Sequence, residues 1–245
     1  MDFPIKGFLE TSFVDWPGKI ASVLFLPHCN FRCPYCHNHD LVTDPGQFPT
    51  VPLDDILKTL RYYRGWIDGV CITGGEPTLL PTLPELITHI KQEGMLVKLD
   101  TNGSHPRVLK SLINAHLIDY VAMDVKAPLD RYSYAHCCGV AADIAQIQES
   151  VDLLREDLIP YEFRVTVAPT FLDGDDLIRL AHQLKGARKF TLQQFSPAHT
   201  LDPRCSQIAP YGESHLRMLQ EEVSGIIAGN LQTYQLESPL FLQAG

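Results

Sequence analysis

Apolar positions along the chain fall into short runs that alternate with longer amphipathic stretches. The β-branched and apolar runs predict strands over residues 20–26, 70–73, 95–99, 120–125, 161–167 and 190–195. Between them, apolar residues recur at helical spacing, as Leu53, Ile56, Leu57 and Leu60 do. These stretches predict helices over 53–64, 83–93, 106–116, 143–154, 175–184 and 212–227. Gly94 supplies a stop for the second helix, and Pro106 stands at the first position of the third, where a missing N–H costs nothing. A short closing strand is expected over 231–236.

Strand followed by helix, six times over, implies a parallel sheet with right-handed crossovers. A doubly wound open sheet and a partial or full barrel both satisfy that alternation. The polar, glycine-containing segments all follow strands, which gathers them at the C-terminal edge of a barrel. No low-complexity linker or change of composition interrupts the pattern, so one domain over residues 1–245 is expected.

Composition adds exclusions. Hydrophobic residues make up 45% and charged residues 20% of the 245, as in ordinary folded proteins. A formal charge of −9 argues against a nucleic-acid backbone as partner. The longest apolar runs, such as residues 21–27, fall far short of the ~20 residues a bilayer requires, so no membrane partner is expected. The first six residues carry no basic region ahead of an apolar core, and a cytoplasmic location is expected. Seven cysteines is an odd count, and three crowd into eight positions, which suggests metal or redox chemistry rather than a disulfide scaffold.

Those three form the segment Cys29-Asn30-Phe31-Arg32-Cys33-Pro34-Tyr35-Cys36-His37-Asn38, a C-x3-C-x2-C pattern directly after the first predicted strand. Three thiolates so spaced can hold three irons of a cubane cluster and leave the fourth open to a substrate. The same residues admit zinc, with His37 or His39 as a fourth ligand. Cys33-Pro34-Tyr35-Cys36 also matches the glutaredoxin dithiol. Buried cysteines with no chemistry are a third alternative.

Further motifs narrow the choice. Val14-Asp15-Trp16-Pro17-Gly18 precedes the first predicted strand, Thr73-Gly74-Gly75-Glu76-Pro77 follows the second, and Asp100-Thr101-Asn102-Gly103 the third. Met123-Asp124-Val125-Lys126 closes the fourth strand, and residues 163–169 carry Arg164 within an apolar run. With the cysteine loop and its Cys36-His37-Asn38 end, this ordered set resembles the radical S-adenosylmethionine (SAM) superfamily. More narrowly, it resembles the activating enzymes of glycyl radical enzymes over about residues 7 to 200. The subgroup it resembles most is the anaerobic ribonucleoside-triphosphate reductase activating proteins.

That resemblance implies an α/β fold, a partial (β/α)6 TIM-like barrel of parallel strands with outer helices. It implies a [4Fe–4S] cluster on Cys29, Cys33 and Cys36, reduced by flavodoxin or ferredoxin, that cleaves SAM. The resulting radical takes a hydrogen from a glycine of a partner enzyme. Cofactor contacts are implied for Tyr35, Cys36, His37, Gly74, Gly75, Glu76, Thr101, Asn102, Asp124, Lys126 and Ser196. Glu76 would meet the methionine ammonium, and Tyr35 the adenine. A monovalent cation is implied on Asp100, Thr101, the Ala122 carbonyl and Asp124, since two facing carboxylates need a cation or hydrogen-bond donors. Asp15, His37 and Arg164 are the implied catalytic residues, with Asp15 and His37 near the entering peptide. An Arg164 that points into the barrel should meet a carboxylate of the cofactor or the partner loop.

Two features depart from the family pattern. Phe195-Ser196-Pro197 stands where related activators carry a histidine near the adenine, and His199 is out of register. The interval between the cysteine loop and Gly74 is too short for a second ferredoxin-like block, so one cluster is expected. Cys71 reads as core, and Cys137-Cys138 as a loop pair open to oxidation. The competing functions are a radical SAM enzyme acting on a small molecule, of the deazaguanine synthase type, and a zinc or iron–sulfur module without catalysis.

Overall fold

The computed structural model describes residues 3–228. One seven-stranded sheet runs through them in sequential order: β1 (Gly7–Ser12), β2 (Ala21–Leu26), β3 (Gly69–Gly74), β4 (Leu96–Thr101), β5 (Tyr120–Asp124), β6 (Tyr161–Val167) and β7 (Phe190–Gln194). Strands β2 to β7 pair in parallel, and β1 pairs antiparallel on β2. Among the described residues, strands β1 and β7 are the two edges, so the described sheet is a partial barrel. The six predicted strands and six predicted helices are all present, with ends within two residues of expectation. The strand expected over 231–236 lies outside the described residues.

Eight α-helices are described: α1 (His39–Thr43), α2 (Leu53–Tyr62), α3 (Leu83–Gln92), α4 (Pro106–Asn114), α5 (Arg131–Cys138), α6 (Ile144–Arg155), α7 (Gly174–Gln183) and α8 (Glu213–Ala228). Strand β1 and helices α1 and α5 extend the predicted pattern. In α5, Asp130 caps the N-terminus by accepting from the Tyr132 and Ser133 N–H groups, and left-handed Gly139 ends it. Cys137 and Cys138 therefore belong to a helix and are fully buried, which corrects their reading as an exposed loop pair.

Strand register sorts the side chains. Residues paired across parallel strands share a face. Val70, Ile72, Val97, Leu99, Val121, Met123, Phe163 and Val165 lie on the face that the helices cover, and all are buried. On the opposite face the partners are Cys71 with Lys98, Asp100 with Ala122, Ala122 with Glu162, Asp124 with Arg164, and Thr166 with Gln193. The concave face of the half-barrel is thus polar and charged from β4 onward. Its upper residues open into the site.

Candidate active site

A cavity of about 320 Å³ opens at the C-terminal ends of the strands. The cysteine loop, the segments after β3 and β4, and the upper concave face line it. The chain enters the loop through His28, whose left-handed backbone (φ 65°) turns it out of β2. Cys29, Cys33 and Cys36 all reach the cavity. The Phe31 N–H donates to Cys29 Sγ at 3.3 Å, and the Cys36 N–H to the Cys33 carbonyl at 3.0 Å.

Helix α5 supports this loop from below. The Arg32 N–H donates to the Cys138 carbonyl at 2.8 Å, and a Cβ on Gly139 would stand 2.2 Å from the Arg32 carbonyl oxygen. Burial pushes the Cys29 thiol up to about 11 and the Cys36 thiol up to about 12. Cys33 moves the other way, because the Cys138 thiol hydrogen-bonds to it, and Cys138 is pushed up by burial and by that same contact. Three thiols from one loop, two of them held protonated by burial, fit a cluster whose own positive charge removes their protons.

Gly74 and Gly75 line the cavity, but their close approach is to the chain itself. A Cβ on Gly75 would lie 1.8 Å from the His28 carbonyl oxygen, and one on Gly74 2.3 Å from that of Leu26. The Gly75 and Glu76 N–H groups donate to those same carbonyls at 2.9 and 2.7 Å. The glycine pair therefore locks the end of β3 onto the stem of the cysteine loop. Asn38 adds to the lock by donating to the Gly74 carbonyl at 2.9 Å.

Glu76 does not line the cavity, and only 1% of its surface is exposed. Its carboxylate accepts from the Thr78 N–H and hydroxyl, the Thr101 hydroxyl at 2.7 Å and the Asn102 N–H at 2.7 Å. Three of these donors fall on Oε1 and one on Oε2. Glu76 ties the segment after β3 to the segment after β4.

The carboxylates expected to hold a monovalent cation are ion-paired within the chain. Arg164 bridges both carboxylates, with Nη2 at 3.1 Å from Asp100 and Nε at 2.9 Å from Asp124. Lys98 Nζ lies 2.5 Å from Asp100, and Lys126 Nζ 3.2 Å from Asp124. Two carboxylates are met by three protein cations. Ala122 sits inside β5 beside Asp100 and does not reach the cavity. Arg164 meets the chain's own carboxylates rather than those of a cofactor or partner. Burial pushes Asp124 up, but Arg164 and Lys126 outweigh it and hold the carboxyl at about 2. Burial likewise lowers Lys98, and Asp100 reverses the shift.

The remaining expected residues divide. Asp15, Tyr35, His37, Thr101, Asn102 and Lys126 line the cavity. Ser12 donates to Asp15 at 2.5 Å, and burial lowers His37, with His199 and His39 adding to the effect. Ser196 lies outside the lining. Residues not singled out from the sequence also line it, among them Thr166, Gln193 and Gln194. The Tyr35 hydroxyl and Gln194 Oε1 are buried without a hydrogen-bond partner among the described residues. Such orphans are costly unless a ligand completes them. Two glutamines ending an otherwise apolar strand were the available signal for Gln193 and Gln194.

The model of the radical SAM superfamily matches residues 23–184, two thirds of the chain, so the chain belongs to that superfamily. A provisionally named glycyl-radical enzyme activating enzyme of Methanocaldococcus jannaschii is 34% identical over 88% of this chain and 89% of its own. The pyruvate formate-lyase-activating enzyme of Clostridium pasteurianum is 29% identical over 80% of this chain and 82% of its own. Within the superfamily, the chain is an activating enzyme of glycyl radical enzymes. The solved structure of Streptococcus suis SuiB bound to S-adenosylmethionine shares the fold at 18% identity with a TM-score of 0.62. The match covers 84% of this chain and 48% of that one. Among the described residues no helix is long and apolar enough to cross a membrane.

Proposed function

We propose that this chain acts as a single cytoplasmic domain that installs the glycyl radical of an anaerobic ribonucleotide reductase, with flavodoxin or ferredoxin as electron donor. The observation that carries the reading is the convergence of Cys29, Cys33 and Cys36 on one open cavity walled by an Asp–Arg–Lys network. The choice of ribonucleotide reductase rests on the motif set read from the sequence. The three cysteines are the protein ligands of one [4Fe–4S] cluster, and its fourth iron is left to SAM. Together the two groups supply one-electron cleavage of a carbon–sulfur bond and a radical able to take a hydrogen from glycine.

The chain supplies position and exclusion. Lys126, oriented by Asp124, presents a cation on the wall to the substrate carboxylate, and Arg164 holds Asp124 and Asp100 in place behind it. Tyr35 and Gln194, both in the lining, are the side chains offered to the nucleoside. Asp15 and His37 line the cavity and are the residues offered to an entering glycine loop.

The test incubates reduced, cluster-loaded protein with SAM and candidate glycyl radical enzymes and looks for a glycyl radical by electron paramagnetic resonance. A signal with ribonucleotide reductase alone supports the assignment. A signal only with another glycyl radical enzyme moves the partner. Deoxyadenosine release without a radical on any partner favours a small-molecule substrate.

A further inference from the structure

Outside the cavity, three ligand-type side chains converge on its rim from two separate segments. His39 and Asp40 open helix α1, immediately after the cysteine loop, and His199 comes from the segment after β7. One ligand atom from each lies within 4.8 Å of the other two. His39 Nδ1 stands 3.2 Å from Asp40 Oδ1, and the His39 and His199 rings have centroids 6.2 Å apart with planes tilted by 33°. His199 holds this place with a left-handed backbone, φ 53°, that a non-glycine residue adopts only when its surroundings enforce it.

We infer that His39, Asp40 and His199 form a second metal site, distinct from the cluster, for a divalent transition ion of the zinc class. Two imidazoles and one carboxylate suit zinc, nickel or cobalt better than magnesium or calcium, which prefer all-oxygen shells. Zinc bonds of about 2.0 Å place tetrahedral ligands about 3.3 Å apart, so the trio needs only side-chain rotation to close. Water completes the shell on the exposed side.

The site joins two segments that the fold already brings together. The Asp202 N–H donates to the Pro34 carbonyl at 2.9 Å, which ties the segment after β7 to the cysteine loop. A metal on His39 and His199 adds a second tether, five residues after Pro34 in the one segment and three before Asp202 in the other. It pins the segment over 195–202 across the rim.

The test uses cluster-loaded protein, washed with chelator and titrated anaerobically with zinc chloride by calorimetry, with iron measured before and after. One zinc should bind per chain with the iron retained. H39A and H199A should each weaken binding roughly tenfold or more, while H182A, on exposed α7, leaves it unchanged. His199 lies in an exposed segment, and retained iron in H199A confirms that the variant is folded. Zinc uptake that strips iron would place the metal on the cluster cysteines and overturn the site. Equal affinity in H199A, or no uptake by the wild type, would overturn it as well.

Discussion

Lys98 is the most demanding residue in the concave face, because its side chain is 1% exposed and its ammonium lies 2.5 Å from Asp100. Replacing it with methionine keeps the volume and removes the charge. At an effective dielectric of about 20, that attraction is about 7 kcal/mol gross, against which the desolvation of both ions must be set. Breaking a buried pair by removing one partner costs about 3–5 kcal/mol net. Asp100 keeps Arg164 at 3.1 Å, so the lower end applies, about 3 kcal/mol. For a chain of this size that is a fall in melting temperature of roughly 6–12 °C. Anaerobic thermal unfolding of cluster-loaded K98M, followed by circular dichroism, measures it. K98M/D100N should regain most of the loss, because the carboxylate that Lys98 neutralised is gone. A K98M melt within a degree of wild type, or a double variant no better than K98M, would refute the idea that Lys98 neutralises Asp100.

The cluster assignment predicts that C29S, C33S and C36S each lose bound iron and SAM cleavage, while C205A keeps both; iron analysis and deoxyadenosine release check it. For G75A, the 1.8 Å approach to the His28 carbonyl predicts a loss of about 3 kcal/mol together with poor iron loading. G46A, whose Cβ would meet nothing nearer than 3.6 Å, should match wild type in both. Asp124, held at about 2 against an ordinary 3.8, adds roughly 2 kcal/mol that is fully present above pH 4. That contribution disappears as the pH falls toward 2, so denaturant titrations of wild type and D124N should differ at pH 6 and converge in acid.

Strands β2 and β3 were legible because their apolar runs are buried on both faces, with four consecutive buried residues in each, and the later strands because apolar residues recur on their helix-covered face. Strand β1 was not, because it is a partly exposed edge without a continuous apolar run. Helix α5 buries only Tyr134, Cys137 and Cys138, too short an apolar stripe to stand out, although Asp130 and Gly139 mark its two ends. Motif order brought most of the cavity lining to one place. It could not say where a carboxylate points, and so Glu76 was assigned to a ligand although its partners are Thr78, Thr101 and Asn102. Lys98 was overlooked for a similar reason. A lysine between Val97 and Leu99 marks the concave face only once strand register is known.

The central claim is that three thiols and an ion-paired wall direct a SAM-derived radical onto a glycine of another protein. The direct measurement is electron paramagnetic resonance of anaerobic ribonucleotide reductase after incubation with reduced, cluster-loaded enzyme and SAM. A doublet that collapses to a singlet when the partner's glycines carry deuterium at the α-carbon is the predicted result. Methionine and deoxyadenosine accumulating with no protein radical, on that partner or on any other glycyl radical enzyme, would contradict it.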